Sequence, residues 1–332
     1  RLATAGIHTN HSFPEALLSW DYFHLPLGER QRITMEEYRN RAVIRATRQL
    51  RPYCPLFIAI SAASPLSWED VDGQPELVLT EIDSQRLMAF PNPEGLDVAM
   101  LYASHEDYLR ISYDLVRRGI RFGANNWTPV RARSDVEPVR KNILATSDQL
   151  RELYRRGIYA TGEHGSLEDA ERELIVESLC ARVDLPMNRV EVRTDEGGDS
   201  FELSIAKIVL KELLMLRSYG EGDGGRGYAY DAGAVRRTRQ DEATAARDGL
   251  DAVMRHPAGT GEIGIRDLLG RLLDEIDPLA EGLGCRGQLE PLREMAGGGP
   301  NPAQSMRTWL REGLGSTARE LPSGATVVPS EL

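Results

Sequence analysis

Lysine is nearly missing from this chain. It occurs only at Lys141, Lys207 and Lys211, so 37 of the 40 cationic residues are arginine. That skew reflects the base composition of the source genome more than function, and it weakens any argument from the presence of a single arginine. Cysteine is scarce as well. Cys54, Cys180 and Cys285 lie far apart and form no CxxC pair, which speaks against a disulfide framework and a structural zinc site. Reduced thiols in a cytoplasmic protein are the simplest reading. Apolar runs such as Pro55 to Ala63 fall far short of the roughly 20 residues that cross a bilayer. No charged-then-apolar leader opens the chain, so no secretory signal is read. Positive charge is in deficit, with 40 Lys and Arg against 51 Asp and Glu for a net −11. A phosphate backbone needs a positive footprint, so a general nucleic-acid or acidic-membrane binder is disfavoured. A local basic pocket for a small phosphorylated molecule remains compatible with that balance.

What is present has the composition of a soluble globular protein of enzyme size: 332 residues, 41% hydrophobic and 27% charged, with ample apolar area for a core. The chain opens on Arg1, and a motif begins within six residues. It is therefore read as a fragment lacking its true N-terminus.

Helical patterns are expected over Met35 to Leu50, His105 to Arg118, Ser147 to Arg156, Ser166 to Val183, Phe201 to Ser218, Thr238 to Met254, Ile265 to Leu283 and Gln288 to Ala296. Pro55 to Ala63 could be a buried helix or a strand, because periodicity does not decide at that length. Residues 66 to 100 read as loop-rich, punctuated by Asp72–Gly73, Pro75, Pro91, Pro93 and Gly95. Ala3 to Phe13 and Arg189 to Thr194 read as strands. The fold class expected is α+β: an antiparallel sheet with a polar active-site face, packed by helices. Residues 1–315 are taken as one catalytic domain and 316–332 as a disordered tail.

Four segments are candidates for chemistry. In Gly6-Ile7-His8-Thr9-Asn10-His11 an extended backbone puts His8 and Asn10 on one face and Thr9 and His11 on the other. The bland alternative is an N-terminal strand with surface histidines. In Val190-Glu191-Val192-Arg193, Glu191 and Arg193 share a face. The carboxylate is a hard oxygen ligand suited to Mg²⁺, and the guanidinium is a fork for phosphate or carboxylate. A solvated salt bridge would give the same pattern. Asn125 to Arg131 (NNWTPVR) is either a substrate loop or an ordinary turn. Gly220 to Gly227 (GEGDGGRG) lacks the GK[ST] ending of a phosphate loop and follows a helix, so it reads as a plain connection.

The order of these segments is more specific than any one of them. GIHTNHSF (6–13), RPYCPLFIAISAASPLSW (51–68), DSQRLMAFPNPEG (83–95), NRVEVRTDE (188–196) and ATAARDGLDAV (243–253) together resemble the glutamate–cysteine ligase superfamily, which includes the bacterial carboxylate–amine ligases. The resemblance covers roughly residues 5 to 310 and implies a glutamine synthetase-like catalytic fold. The family's N-terminal strands, which carry further acidic metal ligands, would precede Gly6.

By resemblance, His8 and Glu191 would be Mg²⁺ ligands, and Arg193 would contact the transferring phosphoryl group or the glutamate. Arg131 and Arg86 would belong to the substrate or ATP contacts, and Asn10 would support the His8 strand or the substrate. The implied reaction is ATP-dependent. The γ-carboxylate of glutamate becomes an acyl phosphate, which an amine displaces, cysteine in the best-known members, as in the glutathione pathway. ATP, Mg²⁺, glutamate and the amine are the implied small-molecule partners, with no nucleic acid or membrane. Homo-oligomerisation is left open. The alternatives are a ligase with another amine acceptor, or a non-catalytic homologue serving as a binding subunit.

Overall fold

The computed structural model describes residues 6–89, 103–104, 107, 181–184, 189–198, 200–221, 231–257, 261–315 and 319–329. The chain enters through β1 (Gly6–His11) and continues through α1 (Glu15–His24), α2 (Leu27–Arg30) and α3 (Met35–Leu50). α3 has the bounds its sequence predicts. The Thr34 hydroxyl accepts from the Glu37 amide, and the Glu37 carboxylate accepts from the Thr34 amide at 2.7 Å, a reciprocal cap that satisfies two orphan donors.

After a turn at Arg51–Tyr53 comes α4 (Cys54–Ser61), and every residue of it is buried. This settles the PLFIAISAA run as helix. A helix surrounded on all sides carries no apolar stripe, so its period is hidden.

The stretch expected to be loop-rich contains a hairpin, β2 (Leu66–Val71) and β3 (Gln74–Leu79). Asp72 and Gly73 both take positive φ, 56° and 81°, the backbone of the tight turn that suits the twist of paired strands. The Asp-Gly pair was the signal, and the short flanking strands hid behind their polar residues.

α5 (Gln85–Ala89) follows, then β4 (Ala181–Asp184) and β5 (Arg189–Glu196). The helix expected over Ser166 to Val183 therefore does not hold at its end, where Ala181–Asp184 pairs antiparallel with β5. Pairing satisfies the second edge of β5, a tertiary gain that local helix preference does not outweigh. α6 (Phe201–Glu221) begins where expected and runs past Ser218. α7 (Ala232–Asp248) starts earlier than expected, with Asp231 accepting from the Ala234 amide at 2.7 Å, and it stops short of Met254. Gly249, at φ 56°, ends it, and Val253–Arg255 is instead β6, paired with β7 (Glu262–Gly264). α8 (Ile265–Gly282), α9 (Glu290–Ala296) and α10 (Pro302–Leu314) complete the helical part, and β8 (Arg319–Glu320) and β9 (Thr326–Val327) close the chain.

β8 and β9 fall in the segment expected to lack structure. β9 pairs with β3, giving a sheet of order β2-β3-β9-β8, and Ala325, Val327 and Val328 are buried against Val78, Leu79 and Leu310. The tail is too short to show a period, and its apolar residues find their partners in a hairpin some 250 positions earlier.

A second sheet has the order β1-β5-β4, all antiparallel. Its inner face, Val190 and Val192, joins the main core with Leu56 and Phe57 of α4, Leu210 and Leu214 of α6, and Leu269 and Leu273 of α8. The architecture is α+β, with small antiparallel sheets covered by helices. Among the described residues no helix is long and apolar enough to cross a membrane. The helix expected over Ser147 to Arg156, the Asn125–Arg131 loop, and nearly all of His105 to Arg118 and of the glycine-rich loop lie outside the described residues.

Candidate active site

β1 and β5 position the candidate side chains. Cross-strand partners share a sheet face, and the ladder sets Asn10 opposite Glu191 and Thr9 opposite Val192. Val190, Val192, Thr9 and His11 therefore point to the helices, and Glu191 and Arg193 point away from them. On that outer face Arg193 Nη1 donates to Glu191 Oε1 at 2.8 Å, and His8 Nδ1 lies 3.0 Å from the same oxygen. Glu191 is 4% exposed. A carboxylate this buried stands only where cations and donors compensate it, and Arg193 and His8 are two of them.

The ladder contains one irregularity. Ile7 pairs with Asp195, but Thr9 pairs with Val192. Two residues of β5, Arg193 and Thr194, thus oppose His8 alone. This bulge reverses the alternation, so Asp195 turns inward. Without it Asp195 would share the outer face with Glu191 and Arg193. The sequence period predicts the face of Glu191 and Arg193 correctly and gives no sign of the reversal after them.

Asp195 meets two lysines of α6. Lys211 Nζ donates to Asp195 Oδ2 at 2.5 Å, and Lys207 Nζ lies 3.7 Å from that oxygen. All three residues are buried. Lys211 also donates to Thr9 Oγ1 at 3.4 Å. Thr9 Oγ1 lies 2.9 Å from His11 Nε2, and His11 Nδ1 lies 2.8 Å from Glu212 Oε1. With His11 Nδ1 donating to Glu212, Nε2 accepts from the Thr9 hydroxyl, so both ring nitrogens and that hydroxyl are satisfied.

Burial by itself pushes the Asp195 carboxyl up. The Lys211 and Lys207 ammoniums, with hydrogen bonds from Lys211 and Thr194, outweigh it and hold the carboxyl below its ordinary 3.8. A lowered folded-state value means that the native protein binds this proton less well than the unfolded chain does. The stabilisation is therefore present above about pH 4 and is lost as the pH falls below it. Urea midpoints near pH 6 and about pH 3 test this: the wild type is expected to lose more stability on acidification than Asp195→Asn. Equal losses would contradict it.

Arg86 lies behind the bulge. Its guanidinium donates to the carbonyls of Asp195 and Arg193 at 3.3 and 3.4 Å. A Cβ at Gly6 would sit 2.2 Å from its Nη2, so a larger residue there would push the guanidinium aside. The other motif segments converge on the same place. The Glu196 carboxylate accepts from the Ala63 amide at 2.9 Å and from the Ser84 hydroxyl. The Ser84 and Asp83 amides donate to the carbonyls of Ala246 and Arg247 at 2.7 and 3.1 Å, so the end of α7 holds the start of α5.

The structure thus brings His8, Glu191 and Arg193 into contact, sets Asn10 beside them in the ladder, and places Arg86 on the strand backbone. Arg131 lies outside the described residues. Thr9, His11, Asp195, Lys207 and Lys211 were missed as a group. The available signal was the scarcity of lysine, since two of the three lysines stand four residues apart on one helix. A cavity of about 650 Å³ along α3, lined in part by Arg41, Arg45 and Arg48, shares no residue with this cluster.

Among the described residues no group of three or more His, Cys, Asp and Glu converges on a metal position. Glu191 and His8 offer one carboxylate and one imidazole. Mg²⁺ commonly binds through one or two carboxylates and takes its other ligands from water and phosphate oxygens. The pair fits a Mg²⁺ that leans on a nucleotide, not a closed protein cage.

The sequence model of glutamate–cysteine ligase family 2 matches residues 35–321. The chain belongs to that family. Glu191, Arg193 and Arg86 of this family member fall inside the matched span, and His8 precedes it. The fold is also similar to that of glutamate–cysteine ligase from Francisella tularensis, solved in complex with AMP, with a TM-score of 0.59 at 14% identity over 92% of this chain and 60% of that one. The family member described here therefore spans about three fifths of that enzyme's length, and the likeness concerns the fold. No curated protein matches the sequence significantly.

Proposed function

We propose that this chain carries the catalytic strands of an ATP-dependent ligase that joins the γ-carboxylate of glutamate to an amine, cysteine first among the acceptors. The observation that carries the reading is the contact of His8, Glu191 and Arg193 on one sheet face, built from residues far apart in sequence. Family membership supports the same class of reaction.

A γ-carboxylate oxygen of glutamate attacks the terminal phosphorus of ATP, and ADP departs with the bridging oxygen. The amine nitrogen then attacks the acyl carbon, the bond to the bridging oxygen breaks so that phosphate leaves with the carboxylate oxygen that had attacked phosphorus, and the nitrogen gives up its proton to solvent. The transfer needs no protein nucleophile. It needs positioning and neutralisation of phosphate charge. Arg193, held by Glu191 Oε1, presents a guanidinium of fixed orientation to the phosphoryl oxygens. Glu191 and His8 would hold Mg²⁺, which when bound offsets the negative charge of the phosphates. Asn10 offers an amide to the substrate from the neighbouring ladder position. Cys54 and Cys285 are free thiols, which supports a site of action in the cytoplasm.

Phosphate release by the purified full-length protein, with ATP, Mg²⁺ and glutamate, with and without cysteine, tests the reading. Cysteine-dependent release with a γ-glutamyl product is expected. Release with a different amine would keep the mechanism and replace the acceptor. A folded protein that releases no phosphate with any amine would refute the ligase reading in favour of a non-catalytic homologue.

A further inference from the structure

We propose that Lys211, acting with Asp195, is a positioning residue: a clamp beneath the sheet that fixes the bulge across from His8 and so sets how His8 and Arg193 meet Glu191. What that site does rests on the ligase reading; that the clamp shapes it rests on geometry alone.

One ammonium reaches both strands. Lys211 Nζ donates to Asp195 on β5 at 2.5 Å and to Thr9 on β1 at 3.4 Å. Both contacts fall at the irregularity. Thr9 follows His8 directly, and Asp195 follows the bulged pair Arg193–Thr194 directly. A bulge re-aims the side chains beside it and persists only where the surroundings hold it. Here the outer side of the bulge is held by Arg86 at the carbonyls of Arg193 and Asp195, and the inner side by Lys211. β1 is tied to α6 a second time, through His11 and Glu212, so α6 determines where the strand that bears His8 lies.

The residue type argues for the same role. Arginine fills 37 of 40 cationic positions in this chain, yet two lysines stand here. Lys211 is 0% exposed and lies 5.3 Å from the Phe57 ring centre. A compact ammonium fits a closed space where a planar fork with five donors would leave several unsatisfied.

An ordinary buried ion pair would add stability and leave the outer face alone, so the test separates the two roles. Lys211→Met by itself leaves the Asp195 carboxylate with the more distant Lys207 ammonium, 3.7 Å away, and stability falls with activity. In Asp195→Asn/Lys211→Met the pair is neutral, and the thermal midpoint is expected to recover part of the loss, the remainder reflecting the Asp195 charge withdrawn from buried Lys207. Turnover is expected to stay down at least about tenfold in kcat, with KM for ATP changed little. The readout independent of turnover is the imidazole ¹H–¹⁵N resonance of His8, assigned through His8→Gln, which is expected to move in the double variant. Thr9→Val, which keeps a β-branched residue in the strand, removes the β1 end of the clamp together with the Thr9–His11 bond, leaves the Asp195 end in place, and should move the same resonance with a smaller loss of kcat.

Recovery of both stability and kcat in the double variant, or a His8 resonance unmoved in both it and Thr9→Val, would overturn the proposal. If the wild type shows no ligase turnover, the ligase reading fails, and the His8 resonance still decides the clamp.

Discussion

Glu191→Gln is expected to lower ATP turnover by about 100-fold or more in kcat while the protein stays folded. The argument starts from what the substitution keeps. Glutamine has nearly the same volume and one carbonyl oxygen, so Arg193 and His8 retain an acceptor where Glu191 Oε1 now stands. What is lost is the charge. Arg193 would then carry a guanidinium without its carboxylate, but its side chain is 15% exposed and can draw on water, so the stability cost should be held to roughly 1–2 kcal/mol. A site that works by orienting an arginine and a divalent cation against phosphate loses both functions with that one charge. Glu191→Asp, which keeps the charge on a shorter stem, should fall between the two. Steady-state kinetics together with urea unfolding check the pair. Undiminished turnover in a folded Glu191→Gln variant would remove Glu191 from the site.

Gly249→Ala is expected to cost roughly 3–5 kcal/mol of stability, the largest loss anticipated for so small a change. Gly249 ends α7 at φ 56° and ψ −130°, a conformation that side-chain-bearing residues rarely enter. A Cβ there would stand 1.6 Å from Asp83 Oδ2 and 2.7 Å from Asn301 Nδ2. Asp83 cannot step aside cheaply. It is 1% exposed, it accepts from the Arg307 guanidinium and from Asn301 Nδ2 at 2.6 Å, and its amide is tied to the Arg247 carbonyl. Burial pushes its carboxyl up, and the bonds from Arg307 and Asn301 pull it back. Displacing it would break charge-assisted hydrogen bonds inside a closed space and disturb the start of α5, hence Arg86 and the carbonyls of β5 that it holds. Urea midpoints measure the loss. Adding Asp83→Ala to Gly249→Ala makes room for the methyl, so the double variant should lose less than the sum of the two single losses. Additive losses would show that the clash is not what matters.

The contrast between these residues shows what could be read from sequence. Glu191 and Arg193 were legible because a strand of period two announces its faces, and His8 because it stands in the separate motif at residues 6–13. Asp195 was not, since a bulge flips the alternation and is set by the partner strand, which a local pattern does not record. α4 was ambiguous for the opposite reason: burial on every side erases the stripe that distinguishes helix from strand. The ends of α7 and β4 were missed where a tertiary partner, not local preference, decides the boundary. Gly249 stood in a recognised motif, but only the neighbouring Asp83 gives the glycine its reason. β9 is two residues long, and no window that short carries a signal.

The pairing of β1 with β5 also bears on how the protein is made. Gly6 lies opposite Glu196, and His11 opposite Val190. At a synthesis rate of about 5–20 residues per second, roughly 10–40 s separate the appearance of the first strand from that of its partner. Throughout that interval β1 lacks β5, and a strand edge left without its partner is the state in which strands join the wrong chain. Pairings this distant also form slowly once the whole chain is free, because loop closure comes before any reward. Yield from the cell should therefore depend on translation speed and on chaperones that shield strands, and slower synthesis through residues 12–189 should lower the soluble fraction before it alters the stability of what does fold.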